Sequence, residues 1–163
     1  MQRIVFGEWD GSVSARANRF LEACRRGGLE AEISPDVMRA IWEKFVFVTG
    51  TSATTTSMRS TIGPIRANSR TRSFLLELMR EVVAVGRAHG VNLDENFAND
   101  RLAFIDRLPD VMTSSMHNDL QDGKRLELEW LSSSVVTLGE AVGVPTPLSR
   151  AVRDILELYA QGK

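Results

Sequence analysis

The stretch PDVMRAIWEKFVFVTGTS, residues 35–52, decides the fold. As a helix it sets Val37, Ala40, Ile41, Lys44, Phe45 and Val48 along one stripe, at spacings of three and four. Lys44 falls near the centre of that stripe and not on its polar edge. A lysine there either snorkels its ammonium out to water or holds it against a buried partner. The first case is an ordinary spacer. The second makes a candidate proton donor, because desolvation lowers an amine's pKa toward neutrality.

Upstream of this stretch the pattern is different. Residues 2–6 (QRIVF) read as a short strand, stopped by Gly7 and turned through Asp10-Gly11. Ser12 or Ser14 caps a helix over residues 14–26, with Ala17, Phe20, Leu21 and Cys24 as its apolar face and Gly27-Gly28 at its end. Residues 29–33 (LEAEI) alternate as a second short strand. Two short strands are too few for a stable sheet. The piece therefore reads either as the edge of a larger sheet or as a small hairpin-like cap on a helical domain. An unpaired edge of this kind pairs between chains, which favours a homodimer.

Downstream, every signal is helical. The central helix is expected over residues 35–49, with the Thr/Ser-rich residues 49–57 as a loop or broken turn. A short helix over 60–67 is interrupted by Gly63-Pro64, and the clearest long helix covers 70–89, closed by His89-Gly90. Further helices are expected from Asp94 or Glu95 to Pro109, over 116–121 behind Ser114 or Ser115, over 125–143, and over 147–161. The main body is thus an all-α domain of six or seven helices. The boundary with the strand-bearing piece is expected at 33/34, giving units 1–33 and 34–163.

Composition narrows the class. With 43% hydrophobic and 25% charged residues, the chain has enough apolar material for one good core and is not a disordered tail. A net charge of −1 gives no overall field for nucleic acid or an anionic membrane. Arginines gather between residues 59 and 80, but acidic residues flank them, as on a solvated face. Cys24 is the only cysteine, which excludes a disulfide or a cysteine zinc site within one chain and fits a reducing cytoplasm. His89 and His117 are too few for a histidine-rich metal site, so no metal is expected. No apolar run approaches the roughly 20 residues of a membrane span, and the N-terminus lacks a signal-peptide core. A soluble cytoplasmic protein is expected.

A second charge lies in an apolar stripe. On a helix over 125–143, Glu127 shares a side with Leu131, Val135, Leu138 and Val142. A first-turn glutamate also favours the positive end of a helix, which explains it without chemistry. If its helix meets that of Lys44, the two charges satisfy each other. Ser115 stands twelve residues before Glu127, across a Gly123 turn, and either caps a helix or adds a hydroxyl to the same pocket.

These pieces carry a family resemblance. Trp42-Glu43-Lys44, Thr61-Ile62-Gly63, Ala88-His89-Gly90-Val91, Ser114-Ser115-Met116, Asp119, Gly123, Glu127 and Gly143-Val144-Pro145-Thr146-Pro147 follow one another in order over residues 30–160. In that order and spacing the chain resembles the C-terminal helical domain of the ketopantoate reductases, or 2-dehydropantoate 2-reductases. The opening GEWDG and SPD resemble the last strands and helix of that family's nucleotide-binding domain.

The resemblance implies a mainly α, multi-helical domain of the ketopantoate reductase and 6-phosphogluconate dehydrogenase C-terminal type, behind a β-α-β remnant. It implies reduction of ketopantoate to pantoate with NADPH, for pantothenate biosynthesis. Lys44 matches the family's general acid, and Glu127 the glutamate that orients it and helps hold cofactor and substrate. Ser115 matches a hydroxyl for the substrate carboxylate.

Two departures stand out. Val48 and Ser52 occupy the places of substrate-binding asparagines; Ser52 keeps one polar contact, but Val48 cannot hydrogen-bond. The Gly-rich dinucleotide fingerprint is absent. The chain is therefore expected to act on a small 2-oxo acid only with a Rossmann-type domain in cis or in trans. The alternative is a helical interaction and dimerisation module that kept the scaffold and lost catalysis.

Overall fold

The computed structural model describes residues 3–163, so Gln2 of the expected first strand lies outside the described residues. Contacts divide the chain into two compact units, one ending at Glu43 and the other Lys44–Lys163.

In the first unit, β1 (Arg3–Phe6), α1 (Ala15–Arg26) and β2 (Glu30–Ile33) follow in order. The strands pair in parallel, Arg3 opposite Glu30 and Phe6 opposite Ile33. A parallel pair needs a crossover, and α1 supplies it. The piece is a β-α-β unit and not a hairpin. Ser14 caps α1 by accepting the Ala17 amide. Gly7 lets the chain leave β1, since a Cβ there would stand 2.4 Å from the Ser34 carbonyl oxygen.

α2 (Val37–Met58) opens with Asp36 accepting the Arg39 amide at 2.9 Å. It then runs unbroken through residues 49–57, where the sequence suggests a loop. The hydroxyls explain the difference. Thr51, Thr54, Thr55 and Ser57 donate to the carbonyls of Phe47, Gly50, Thr51 and Ala53, at 2.7–2.8 Å, so each polar side chain is satisfied on its own helix. That lets Thr51, Thr54 and Thr55 be buried; Thr49, Ser52 and Thr56 are buried beside them, the hydroxyls of Thr49 and Thr56 without a partner among the described residues. Gly50 marks close contact with the next long helix, because a Cβ would meet Met79 Cγ at 2.5 Å.

α3 (Ile62–Ala67), α4 (Ser69–Ala88) and α5 (Phe97–Ile105) follow. Pro64 sits in the first turn of α3, where its missing amide costs nothing, so Gly63-Pro64 does not interrupt the helix. α4 carries Leu75, Leu78, Met79, Val82, Val83 and Val85 into the core. Its arginines and their neighbours are engaged: Arg66 with Asp110, Arg72 with Asp106, and Arg80 with Glu77.

The expected helix over 125–143 is replaced by a 3-10 turn at Glu127–Glu129 and by α7 (Ser132–Val142), which follows α6 (Ser115–Asp122). Leu126, Leu128 and Leu131 all enter one apolar cluster. A regular helix sends positions 126 and 128 to opposite sides, so the backbone breaks, at Leu131 with φ −109 and ψ −97. α8 (Pro147–Leu156) and a 3-10 turn at Glu157–Tyr159 complete the chain, where one helix over 147–161 is expected from sequence. Among the described residues no helix is long and apolar enough to cross a membrane.

Candidate substrate site

Lys44 does not lie under the core. The buried line of α2 runs through Trp42, Val46, Thr49, Gly50 and Ala53, while Phe45 and Val48 are half-buried and Ile41 and Lys44 are exposed. The apolar stripe of the sequence is thus the margin of the buried face, and the ammonium reaches water. Ser52, two turns further along the line Lys44–Val48–Ser52, is only 3% exposed. Those two turns span about 12 Å of helix axis.

Ser114, not Ser115, caps α6. Its hydroxyl accepts the His117 amide at 3.1 Å and shares a buried hydrogen bond of 2.8 Å with Thr55. Thr55 lies one turn beyond Ser52 on α2, so this bond fixes the start of α6 against that end of the line. Ser115 is left as the first residue of α6, with its side chain exposed. Glu127 opens the 3-10 turn and is exposed between buried Leu126 and Leu128. The carboxylate is therefore outside the stripe that the sequence suggests.

The four candidate positions are held by one core. Ala53, Met116, Leu126 and Leu128 belong to a single apolar cluster, and Phe45 packs against it. Each candidate, Lys44, Ser52, Ser115 or Glu127, is the chain neighbour of one of these anchors. Among the described residues, no hydrogen bond or ion pair engages the side chains of Lys44, Ser115 or Glu127, and none joins Lys44 to Glu127.

One buried group escapes sequence reasoning. His117 is 3% exposed, its Nδ1 hydrogen-bonds the Thr113 hydroxyl, and its Nε2 has no partner. Burial holds the imidazole pKa below its ordinary value, because the charged form loses water. The signal was present in the spacing of Met116, His117 and Leu120, which share one face of α6, with Thr113 four residues before His117.

The β-α-β unit does not fit a dinucleotide. In such sites the pyrophosphate sits on the N-terminus of the first helix. Here the Glu8 carboxylate occupies the start of α1, accepting hydrogen bonds from the Ser14 hydroxyl and from both Arg16 nitrogens facing it. Those bonds hold its pKa at about 2, so a carboxylate faces any incoming anion. Its charge opposes a phosphate there.

Residues 36–160 match the family model for the ketopantoate reductase PanE/ApbA C-terminal domain. The chain belongs to the ketopantoate reductase family. A 2-dehydropantoate 2-reductase of Mesorhizobium japonicum is 30% identical over 98% of this chain and 48% of its own length. An uncharacterised oxidoreductase of Bacillus subtilis is 27% identical over 99% of this chain and 53% of its own length. The solved structure of a 2-dehydropantoate 2-reductase from Geobacter metallireducens shares the fold, with a TM-score of 0.87 and 24% identity over 96% of this chain and 52% of that one. The chain spans about half the length of the curated relatives it matches. Within the ketopantoate reductase family, then, it corresponds to the helical domain, with polar positions 44, 52, 115 and 127 anchored on a common core.

Proposed function

We propose that this chain is the substrate-binding, proton-donating half of an NADPH-dependent 2-oxo acid reductase, with ketopantoate as substrate and pantothenate biosynthesis as its setting. The observation that carries this reading is the set of three exposed, unengaged polar side chains, Lys44, Ser115 and Glu127, whose backbones one apolar cluster anchors. Unengaged groups on a rigid support are free to meet a ligand. The cofactor supplies the hydride and belongs to a nucleotide-binding domain, joined to this chain or separate, in a cytoplasmic homodimer.

In this reading the Lys44 ammonium donates its proton to the oxygen on C2 as negative charge develops there. Glu127 orients the ammonium and helps hold cofactor and substrate. Ser115 donates its hydroxyl to the substrate carboxylate, and Ser52 adds a second polar contact from α2. A positioned proton donor is worth roughly 10²–10⁴-fold in rate.

The test begins with the native protein recovered from its own cells, weighed by mass spectrometry and assayed for ketopantoate-dependent NADPH oxidation. Lys44→Ala should lower kcat by roughly 10²–10⁴-fold with a smaller change in KM. A Lys44→Ala enzyme as fast as the parent sinks the assignment. A native protein that oxidises no NADPH with any 2-oxo acid sinks the whole reading in favour of a non-catalytic helical module.

A further inference from the structure

We propose that the tail, residues 159–163, is a clasp that positions Glu127; the proposal rests on the reading of Glu127 as a site residue. Glu127 follows directly on the segment 123–126 that leads out of α6. From downstream its carbonyl is held by the amides of Trp130 and Leu131, both at 3.1 Å. From upstream the chain is tied to the tail. The Leu126 amide donates to the Ala160 carbonyl, and the Lys163 amide donates to the Gly123 carbonyl, each at 3.0 Å. Buried Leu126 and Leu128 set how deep the segment sits. The two tail bonds bracket it and set the direction from which the backbone enters Glu127.

Two independent features show that the tail is held to this place. Gly162 has φ +82, and a Cβ on it would stand 2.7 Å from the Gly123 carbonyl oxygen and 3.2 Å from the Arg125 nitrogen. Only glycine allows that backbone approach. At the other end, the Arg59 guanidinium lies 5.2 Å from the centre of the Tyr159 ring, stacked over it. Arg59 adopts φ +49 as the left-handed residue that ends α2, where the Ser60 amide donates to the Thr55 carbonyl at 3.1 Å, so its side chain leaves from a fixed helix end. The C-terminal end of α2, which carries Lys44 near its start, is thereby linked through Tyr159 to the segment that presents Glu127.

The test uses the full chain labelled with 5-fluorotryptophan, since Trp130 lies three residues beyond Glu127 and is exposed. Gly162→Ala should speed amide exchange at Leu126 and Lys163 by roughly tenfold or more, the loss of about one hydrogen bond. The Trp130 fluorine signal should shift or broaden, while those of Trp9 and Trp42 stay in place. In the native enzyme the same change should lower kcat at least several-fold and leave KM for the 2-oxo acid within about twofold. Leu158→Ala, in the 3-10 turn that carries Tyr159 but with its side chain in solvent, should do none of this. Should Gly162→Ala fail to fold, Tyr159→Ala removes only the stacked ring and takes its place.

Protected amides in the variant, or broken amides with an unmoved Trp130 signal, overturn the clasp. Glu127→Ala separates the two ideas. If it lowers kcat but a clasp variant with freed amides does not, positioning fails. If Glu127→Ala leaves kcat intact, the reading of Glu127 fails while the Trp130 signal still decides the clasp.

Discussion

His117 is buried with one ring nitrogen bonded and the other not. An imidazole whose Nε2 is buried without a partner is comfortable only when neutral. An unfolded histidine takes its proton near pH 6.5, whereas burial keeps His117 neutral to lower pH. Below pH 6.5 the unfolded chain therefore binds more protons than the folded one. Stability should fall as pH drops through 6.5 toward the lowered value, and be level above it. Urea unfolding at about pH 7.5 and about pH 5 should show this fall, and His117→Gln, which cannot titrate, should reduce it. An equal fall in the variant would rule His117 out. At this scale the sequence pattern conveyed exposure least. It singled out Lys44, Ser52, Ser115 and Glu127, but it read Lys44 and Glu127 as facing inward, because an apolar stripe does not tell its centre from its margin.

Helix ends carry the clearest lesson among the elements. α8 begins at Pro147 with Thr146 as its cap residue, and Thr146 makes no side-chain capping bond. Glu81, from the middle of α4, does that work instead. Its carboxylate accepts the Leu148 amide at 2.7 Å, the Ser149 amide at 2.9 Å and the Ser149 hydroxyl at 2.6 Å. A carboxylate on the positive end of a helix combines capping with a favourable dipole. Glu81→Ala should cost about 2 kcal/mol in urea unfolding, and Glu81→Gln less, since an amide keeps one acceptor. A loss below about 0.5 kcal/mol would mean that water and Thr146 take over. No local pattern announces such a cap, because its partners lie 67 and 68 residues apart. Of the elements that were legible, α1 and α4 have local caps, glycines at their ends and an unbroken period, and the start of α8 is marked by Pro147 alone. The two that were not, the second half of α2 and residues 125–143, depend on hydroxyls bonding back along their own helix and on three leucines entering one cluster.

For the molecule as a whole, the two units rest on unequal foundations. The helical unit Lys44–Lys163 has a contiguous cluster with Leu78, Met116, Leu128, Val152 and Leu156 at its heart. The other unit has four-residue strands, in a sheet of two, under one helix that buries only Ala17 and Cys24. Val5, Phe20 and Leu29 remain 38–49% exposed there, and both outer strand edges lack a partner among the described residues. Two strands with so little buried apolar surface do not hold themselves firmly. Its charges do not remedy this, for the Arg3–Glu32 pair across the strands is about half exposed and worth little. The chain studied by itself should therefore open in two steps. Amides of β1, α1 and β2 should exchange with solvent orders of magnitude faster than those of α4 and α7, whose openings approach global unfolding. Adding strands to the sheet supplies what is missing. Joined to a nucleotide-binding domain whose sheet continues from β1 or β2, the same amides should slow toward the values of the helical unit. Hydrogen exchange read by mass spectrometry distinguishes the cases. Equal protection in both units of the lone chain would mean that the β-α-β unit is complete as it stands, and that its edges await no further strand.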